Sequence, residues 1–208
     1  MQISTGLIRN YRLIKSPGTV RPPPDTLVDL IQSGKVRPCR TIDLGCGAGN
    51  YAISLGGHGF EVTGVDSSPT AISIAQKNAL KLGVRCRFIV ADLTGDLHGV
   101  NGRFDFAFEW EFLHHIFPED REKYLNNVYN LLNPKASYLS VCFSEGDPQF
   151  GGTGKFRSTP IGTTLYFSSE SELRDLFSAH FIIRKLKTIE VAGKHGSHQA
   201  ICVLSERD

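Results

Sequence analysis

The sequence predicts an α/β protein: a doubly wound, mostly parallel seven-stranded sheet with helices on both faces and a C-terminal antiparallel hairpin. Three observations predict it. Short apolar runs alternate with helix-period segments from about residue 40 to 180, the pattern of strands joined by crossover helices. The stretch Asp43-Leu44-Gly45-Cys46-Gly47-Ala48-Gly49, with glycine at every second position, stands where the first run gives way to a helix. Two alternating segments, 181–191 and 199–205, close the chain around Ala192-Gly193-Lys194-His195-Gly196-Ser197, which reads as a hairpin turn.

Length and composition narrow the class. The 208 residues suit one sizeable domain, and 40% hydrophobic with 21% charged residues is ordinary for a soluble protein. A net charge of +2 gives no reason to expect nucleic acid or membrane as partner. The densest basic cluster, Arg184, Lys185 and Lys187, alternates with apolar positions like the solvent face of a strand. Five scattered cysteines without a C-x-x-C pair suit a reducing compartment, so a cytoplasmic location is expected. Cys86, Cys142 and Cys202 fall in strand-like runs, where a thiol packs as a small hydrophobe. The seven histidines lack zinc-site spacing, His195-x-x-His198 in the hairpin turn included, and no metal is expected. Neither a signal peptide nor an apolar run of membrane length is present.

In chain order, residues 1–24 have no clear period and end in Arg21-Pro22-Pro23-Pro24, which cannot continue a helix. They read as a tail or as a flap over the active site, with Tyr11 as an aromatic anchor. The domain proper is expected over 25–208. Asp25 is expected to cap a helix with Leu27, Val28 and Ile31 on one face, ended by Gly34. After the glycine turn and a short helix, Phe60 to Asp66 reads as a second strand. Ser68 and Pro69 then open a helix carrying Ala71, Ile72, Ala75, Ala79 and Leu82. Arg85 to Val90 is a third strand, ending near Asp92 and Leu93. Phe104 to Phe108 is a fourth, followed by Glu109-Trp110-Glu111-Phe112-Leu113-His114-His115. Pro118 and three acids open the next helix, which Asn133-Pro134 stops, and Ser137 to Phe143 is the fifth strand. Residues 144–168 are too long for a plain connection and read as a lid or a mobile loop. Ser169-x-x-Glu172 is a capping box for the last helix.

Ligands of such sheets bind beyond the carboxyl ends of the strands. Four chemical candidates fall there in order: the glycine turn, Asp66, Asp92 and the segment from Glu109 to His115. A dinucleotide turn, G-x-G-x-x-G, would place its third glycine at position 50, which is Asn50. The spacing Asp43-x-Gly45-x-Gly47-x-Gly49 instead resembles the first motif of class I S-adenosylmethionine-dependent methyltransferases, and the resemblance extends over about residues 38–205. The stretch Thr19-Val20-Arg21-Pro22-Pro23-Pro24 and the phrase Gly59-Phe60-Glu61-Val62-Thr63-Gly64-Val65-Asp66 look like small-molecule members of the thiopurine and tellurite type. Two family features differ. Pro134-Lys135-Ala136 stands where Pro-Gly-Gly is usual, and the Asn/Asp-Pro-Pro-Tyr/Phe motif of many amino-group methylators is absent.

The resemblance implies a Rossmann-like methyltransferase fold, S-adenosylmethionine as cofactor and a small-molecule acceptor whose nucleophile is a thiol, chalcogenide, oxygen or nitrogen. It implies that Asp43 helps hold the methionine ammonium and that Gly45, Cys46, Gly47 and Gly49 line the cofactor. Asp66 with Ser67 would bind the ribose, Asp92 with Leu93 the adenine, and Glu109 would lie near the methionyl end. His114 and His115 are candidates for a catalytic base, or else buried, hydrogen-bonded histidines. Adjacent helical residues point about 100° apart, so at most one is expected to face a pocket. Trp110 and Phe112 either wall the acceptor site or belong to the core. A protein or RNA acceptor, and a non-catalytic cofactor-binding module, are the alternatives; the oligomeric state is open.

Overall fold

The computed structural model describes residues 23–193 and 196–208. The expected flap, Tyr11 and His195 lie outside the described residues. Seven strands form a mostly parallel sheet in the order β3-β2-β1-β4-β5-β9-β8, with helices around it and an antiparallel C-terminal hairpin. The chain divides into two compact units, residues 1–90 and 91–208.

In the first unit, α1 (Asp25–Gln32) precedes β1 (Arg40–Leu44), α2 (Asn50–Gly56), β2 (Glu61–Asp66), α3 (Pro69–Leu82) and β3 (Arg87–Val90). The three strands run parallel. Ile42, Leu44, Val62 and Val65 are buried, so the apolar runs follow from coverage on both faces rather than from alternation. Ser68 caps α3 by accepting the Ala71 N–H, with Pro69 following it, as its sequence predicts. Asp25 is not the cap of α1. Pro24 holds that position in extended backbone and Asp25 is the first helical residue, because a proline immediately before the helix already sets its entry. β3 starts two residues later than expected, and Cys86 precedes it.

In the second unit, β4 (Phe104–Trp110) pairs parallel with β5 (Leu132–Phe143) through α4 (Pro118–Leu131). β4 is longer than its apolar run: Glu109 and Trp110 are strand residues, since β5 extends to pair with them through Ser140 and Val141. β5 in turn starts at Leu132 rather than Ser137, with Lys135 at φ 63° bending it. The 144–168 connection is built, not featureless. It holds a two-stranded hairpin, β6 (Phe156–Ser158) and β7 (Thr164–Tyr166). Arg157, 4% exposed, donates to the carbonyls of Glu145, Asp147, Gln149 and Gly154 and stacks on the Phe167 ring at 4.0 Å. The capping box of Ser169 and Glu172 opens α5 (Glu170–Ser178), and β8 (Ile182–Gly193) and β9 (Gly196–Glu206) complete the sheet. Cys142 and Cys202 are buried as expected of strand thiols, and with Cys46 and Cys86 they are free.

Candidate active site

The glycine turn owes its shape to backbone that side chains rarely adopt. Gly45, Gly47 and Gly49 all have positive φ, at 73°, 52° and 78°. Their reasons differ. A Cβ at Gly49 would stand 2.9 Å from the side chains of Ala75 and Phe88, so this glycine lets α2 begin against the sheet. A Cβ at Gly47 would meet nothing within 4 Å, so its side of the turn is open. Gly45 and Cys46 both donate to the Val65 carbonyl, at 2.8 and 3.0 Å. Gly47 donates to Oδ2 of Asp66 at 2.9 Å, and Oδ1 of Asp66 accepts the Ser68 N–H at 2.9 Å. Each oxygen thus spends one lone pair on the backbone and keeps another. Ser67, beside it, is exposed, whereas Asp43 is buried within β1. Burial first, then the nearby Asp43 and Asp66 carboxylates, drive the Cys46 thiol far above its ordinary range, so it stays a neutral thiol lining the turn.

On the second unit, Asp92 is exposed, and its Oδ1 accepts both the backbone N–H (2.9 Å) and the hydroxyl (2.8 Å) of Thr94. These bonds, the backbone one foremost, hold its carboxyl below the usual range and leave Oδ2 for a ligand. Leu93 is 3% exposed: its side chain is already packed, while its carbonyl accepts from Asn127. Leu93 therefore shapes this loop from beneath.

Glu109 is fully buried. Its Oε1 accepts the Ser140 hydroxyl, and its Oε2 accepts the N–H groups of Phe112 and Leu113 at 2.9 and 3.2 Å. Burial pushes its carboxyl up to about 7 against those bonds and the nearby Arg121. The carboxyl end of the strand thus carries an internal brace for the 3-10 turn Leu113–His115, in place of the methionyl contact expected for Glu109. Arg121, also buried, donates to the Leu113 and Ile116 carbonyls from the other side.

The two adjacent histidines differ as side chains on a tight turn must. His114 is 3% exposed and stacks on Phe143, with centroids 4.1 Å apart and planes 10° from parallel. Burial, then His115, Arg121 and His198, holds its basicity well below the ordinary histidine range, so His114 is a neutral core ring at physiological pH. A ring so enclosed does not reach an acceptor, so His114 packs in the core and is not the base that was expected. His115 is exposed. Trp110 and Phe112 are both partly exposed, and Phe112 leans on Tyr124 at 5.8 Å.

One pairing is absent from the expectations. Glu111, a non-glycine residue at φ 60°, holds a conformation that costs about 1–3 kcal/mol. Its N–H donates to the Val141 carbonyl at 2.7 Å. Its Oε1 lies 2.7 Å from Nε2 of His198, in a geometry too bent for a ring N–H hydrogen bond. The His198 side chain is 5% exposed and that of Glu111 30%. His198 also stands edge-on to Phe143, at 4.9 Å and 84°. Eighty-seven residues separate the pair, and no spacing rule joins them. The one local signal was a histidine in a strand flanking the final turn.

Among the described residues no helix is long and apolar enough to cross a membrane, and no cluster of three or more metal-type ligands occurs. Residues 42–135 match the family of methyltransferase domains. The chain is 28% identical over 172 residues to the 2-heptyl-1-hydroxyquinolin-4(1H)-one methyltransferase of Mycobacteroides abscessus, covering 81% of this chain and 70% of that protein. It is also similar, at 27% identity and TM-score 0.73, to a solved structure from work on conversion of a disulfide bond into a thioacetal group during echinomycin biosynthesis, covering 89% and 82% of the two chains. The 1,6-didemethyltoxoflavin-N1-methyltransferase of Burkholderia thailandensis, solved with bound 1,6-didemethyltoxoflavin and S-adenosylhomocysteine, has the same fold at 23% identity and TM-score 0.68, over 97% of this chain and 85% of that one. With its glycine turn, its acid-bearing strand ends and its antiparallel hairpin, the chain carries a methyltransferase domain over residues 42–135 and is similar along most of its length to S-adenosylmethionine-dependent methyltransferases.

Proposed function

We propose that this methyltransferase acts on a small molecule bearing a thiol, chalcogenide, oxygen or nitrogen nucleophile. The observation that carries the reading is similarity over 81% of the chain to an enzyme named for a hydroxyquinolone. The dispersed basic residues and the net charge of +2 agree with it, since nucleic-acid acceptors call for a basic face.

The residues present fit the cofactor. Asp66 is held by two backbone N–H groups with lone pairs remaining for the ribose hydroxyls, and Ser67 lies beside it. The open side of Gly47 admits a ligand against bare backbone, with Gly45, Cys46 and Gly49 shaping the turn. Asp43 would hold the ammonium and Asp92 the adenine amino group. When bound, S-adenosylmethionine supplies a methyl group already activated by its sulfonium. What the chain adds is alignment and exclusion of water, worth about 7–11 kcal/mol when the geometry is good. Trp110 and Phe112 would flank the acceptor, and the free thiols of Cys46, Cys86, Cys142 and Cys202 agree with a cytoplasmic setting.

An assay of S-adenosylhomocysteine release tests the reading. The acceptors are 2-heptyl-1-hydroxyquinolin-4(1H)-one, thiophenol, phenol and catechol, set against total RNA and denatured lysate protein. Turnover confined to the small molecules supports the proposal, and turnover confined to RNA or protein overturns it.

A further inference from the structure

Three features coincide at the carboxyl end of β4, all within the second unit. Glu111 has left-handed backbone, which re-aims a side chain that strand alternation would send to the other face. Its carboxylate touches the buried His198 imidazole at 2.7 Å, and 30% of its side chain remains exposed. Strain of this kind persists only where the surroundings over-determine it, and it concentrates at active sites. Here the Val141 carbonyl fixes the backbone and His198 the side chain.

We propose that Glu111 takes the proton of the methyl acceptor and that His198 is the residue that positions it. The assignment rests on the small-molecule reading above. The acceptor heteroatom donates its lone pair to the methyl carbon as the carbon–sulfur bond breaks, its electron pair staying on sulfur. The acceptor proton passes to the Glu111 carboxylate and then to water, which the exposed part of the side chain reaches. His198 is too enclosed to meet an acceptor itself, walled by Phe143 and paired across the hairpin with the apolar Val191 of β8. The other ionisable groups around the pair are His114 on the 3-10 turn, which shares the Phe143 ring with His198, and Asp147, which accepts the N–H of Gln199. Asp147 steadies the β9 backbone next to His198, which keeps the imidazole against the Glu111 carboxylate.

The test uses Glu111→Gln and Glu111→Gly with the acceptor that the intact enzyme turns over best in the panel above. Glycine removes the carboxylate where φ is positive without backbone cost, so a folding defect cannot mask the result. Both variants are expected to bind S-adenosylhomocysteine within about twofold of the intact protein and to lose about 10²–10⁴-fold in kcat at pH 7. The deficit should narrow as pH rises and the acceptor ionises in solution. His198→Leu should lose part of that rate and His198→Gln, which returns an N–H near the same place, should recover it. Unchanged kcat in Glu111→Gly, or a loss independent of pH and shared with cofactor binding, overturns the assignment while leaving the small-molecule reading intact. Failure of the intact enzyme on every small molecule overturns both.

Discussion

Asp66 and Gly47 are bound to each other across 19 positions of sequence, the carboxylate of β2 accepting the turn N–H at 2.9 Å. One side chain therefore braces the glycine turn, and in the function proposed above its remaining lone pairs also take the ribose hydroxyls. A turn held open in advance does not need to be ordered when the cofactor arrives, which lowers the cost of binding.

Asp66→Asn loses the charge and one acceptor, and sets an NH2 group against the N–H of Gly47 or Ser68. Charge-assisted hydrogen bonds are worth about 1.5–3 kcal/mol, so S-adenosylhomocysteine affinity should fall by about 10- to 100-fold. Calorimetric titration checks this; unaltered affinity would remove Asp66 from the cofactor site.

Gly49→Ala meets two penalties, left-handed backbone and a Cβ 2.9 Å from Ala75 and Phe88. Together they should destabilise the protein by about 2–4 kcal/mol in urea unfolding. Gly47→Ala has the same backbone penalty and open space, so it should cost only about 1–2 kcal/mol while weakening cofactor binding more.

Glu109 makes stability depend on pH in an unusual direction. Its carboxyl is raised from 4.5 to about 7 by burial, so between those values the folded protein binds more protons than the unfolded chain. Its contribution is fullest below about pH 4.5, and stability falls as pH rises through about 7. Glu109→Gln, which can accept from Phe112 and Leu113 and donate to Ser140, should flatten this decline. Melting temperatures at pH 5, 6, 7 and 8 will show it, and an unchanged slope would rule out Glu109 as its source.

Arg157→Lys replaces a fork that meets four carbonyls with a single ammonium. The 144–156 segment should exchange its amide hydrogens and be cleaved by trypsin at Lys155 at least about 10-fold faster, with the α5 amides unaffected. Equal protection in both proteins would mean that the segment is held by other contacts.

The sequence by itself determined the order of the helices and of the seven strands of the main sheet, the glycine turn, the Ser68 and Ser169 caps, and the acids that end β2 and follow β3. Those features are local: spacing, caps and positive-φ glycines act within a few residues, so they are legible in the linear chain. Only the tertiary structure decided which candidates face inward. His114 and His115 are neighbours in sequence, yet Phe143, 29 positions from His114, turns one of them into a core ring. Glu109, expected near the methionyl end of the cofactor, is instead closed over by Ser140 and the 3-10 turn. Glu111 and His198 meet because β9 returns antiparallel beside β5, the neighbour of β4, a pairing set by sheet register and by no pattern that either segment carries alone.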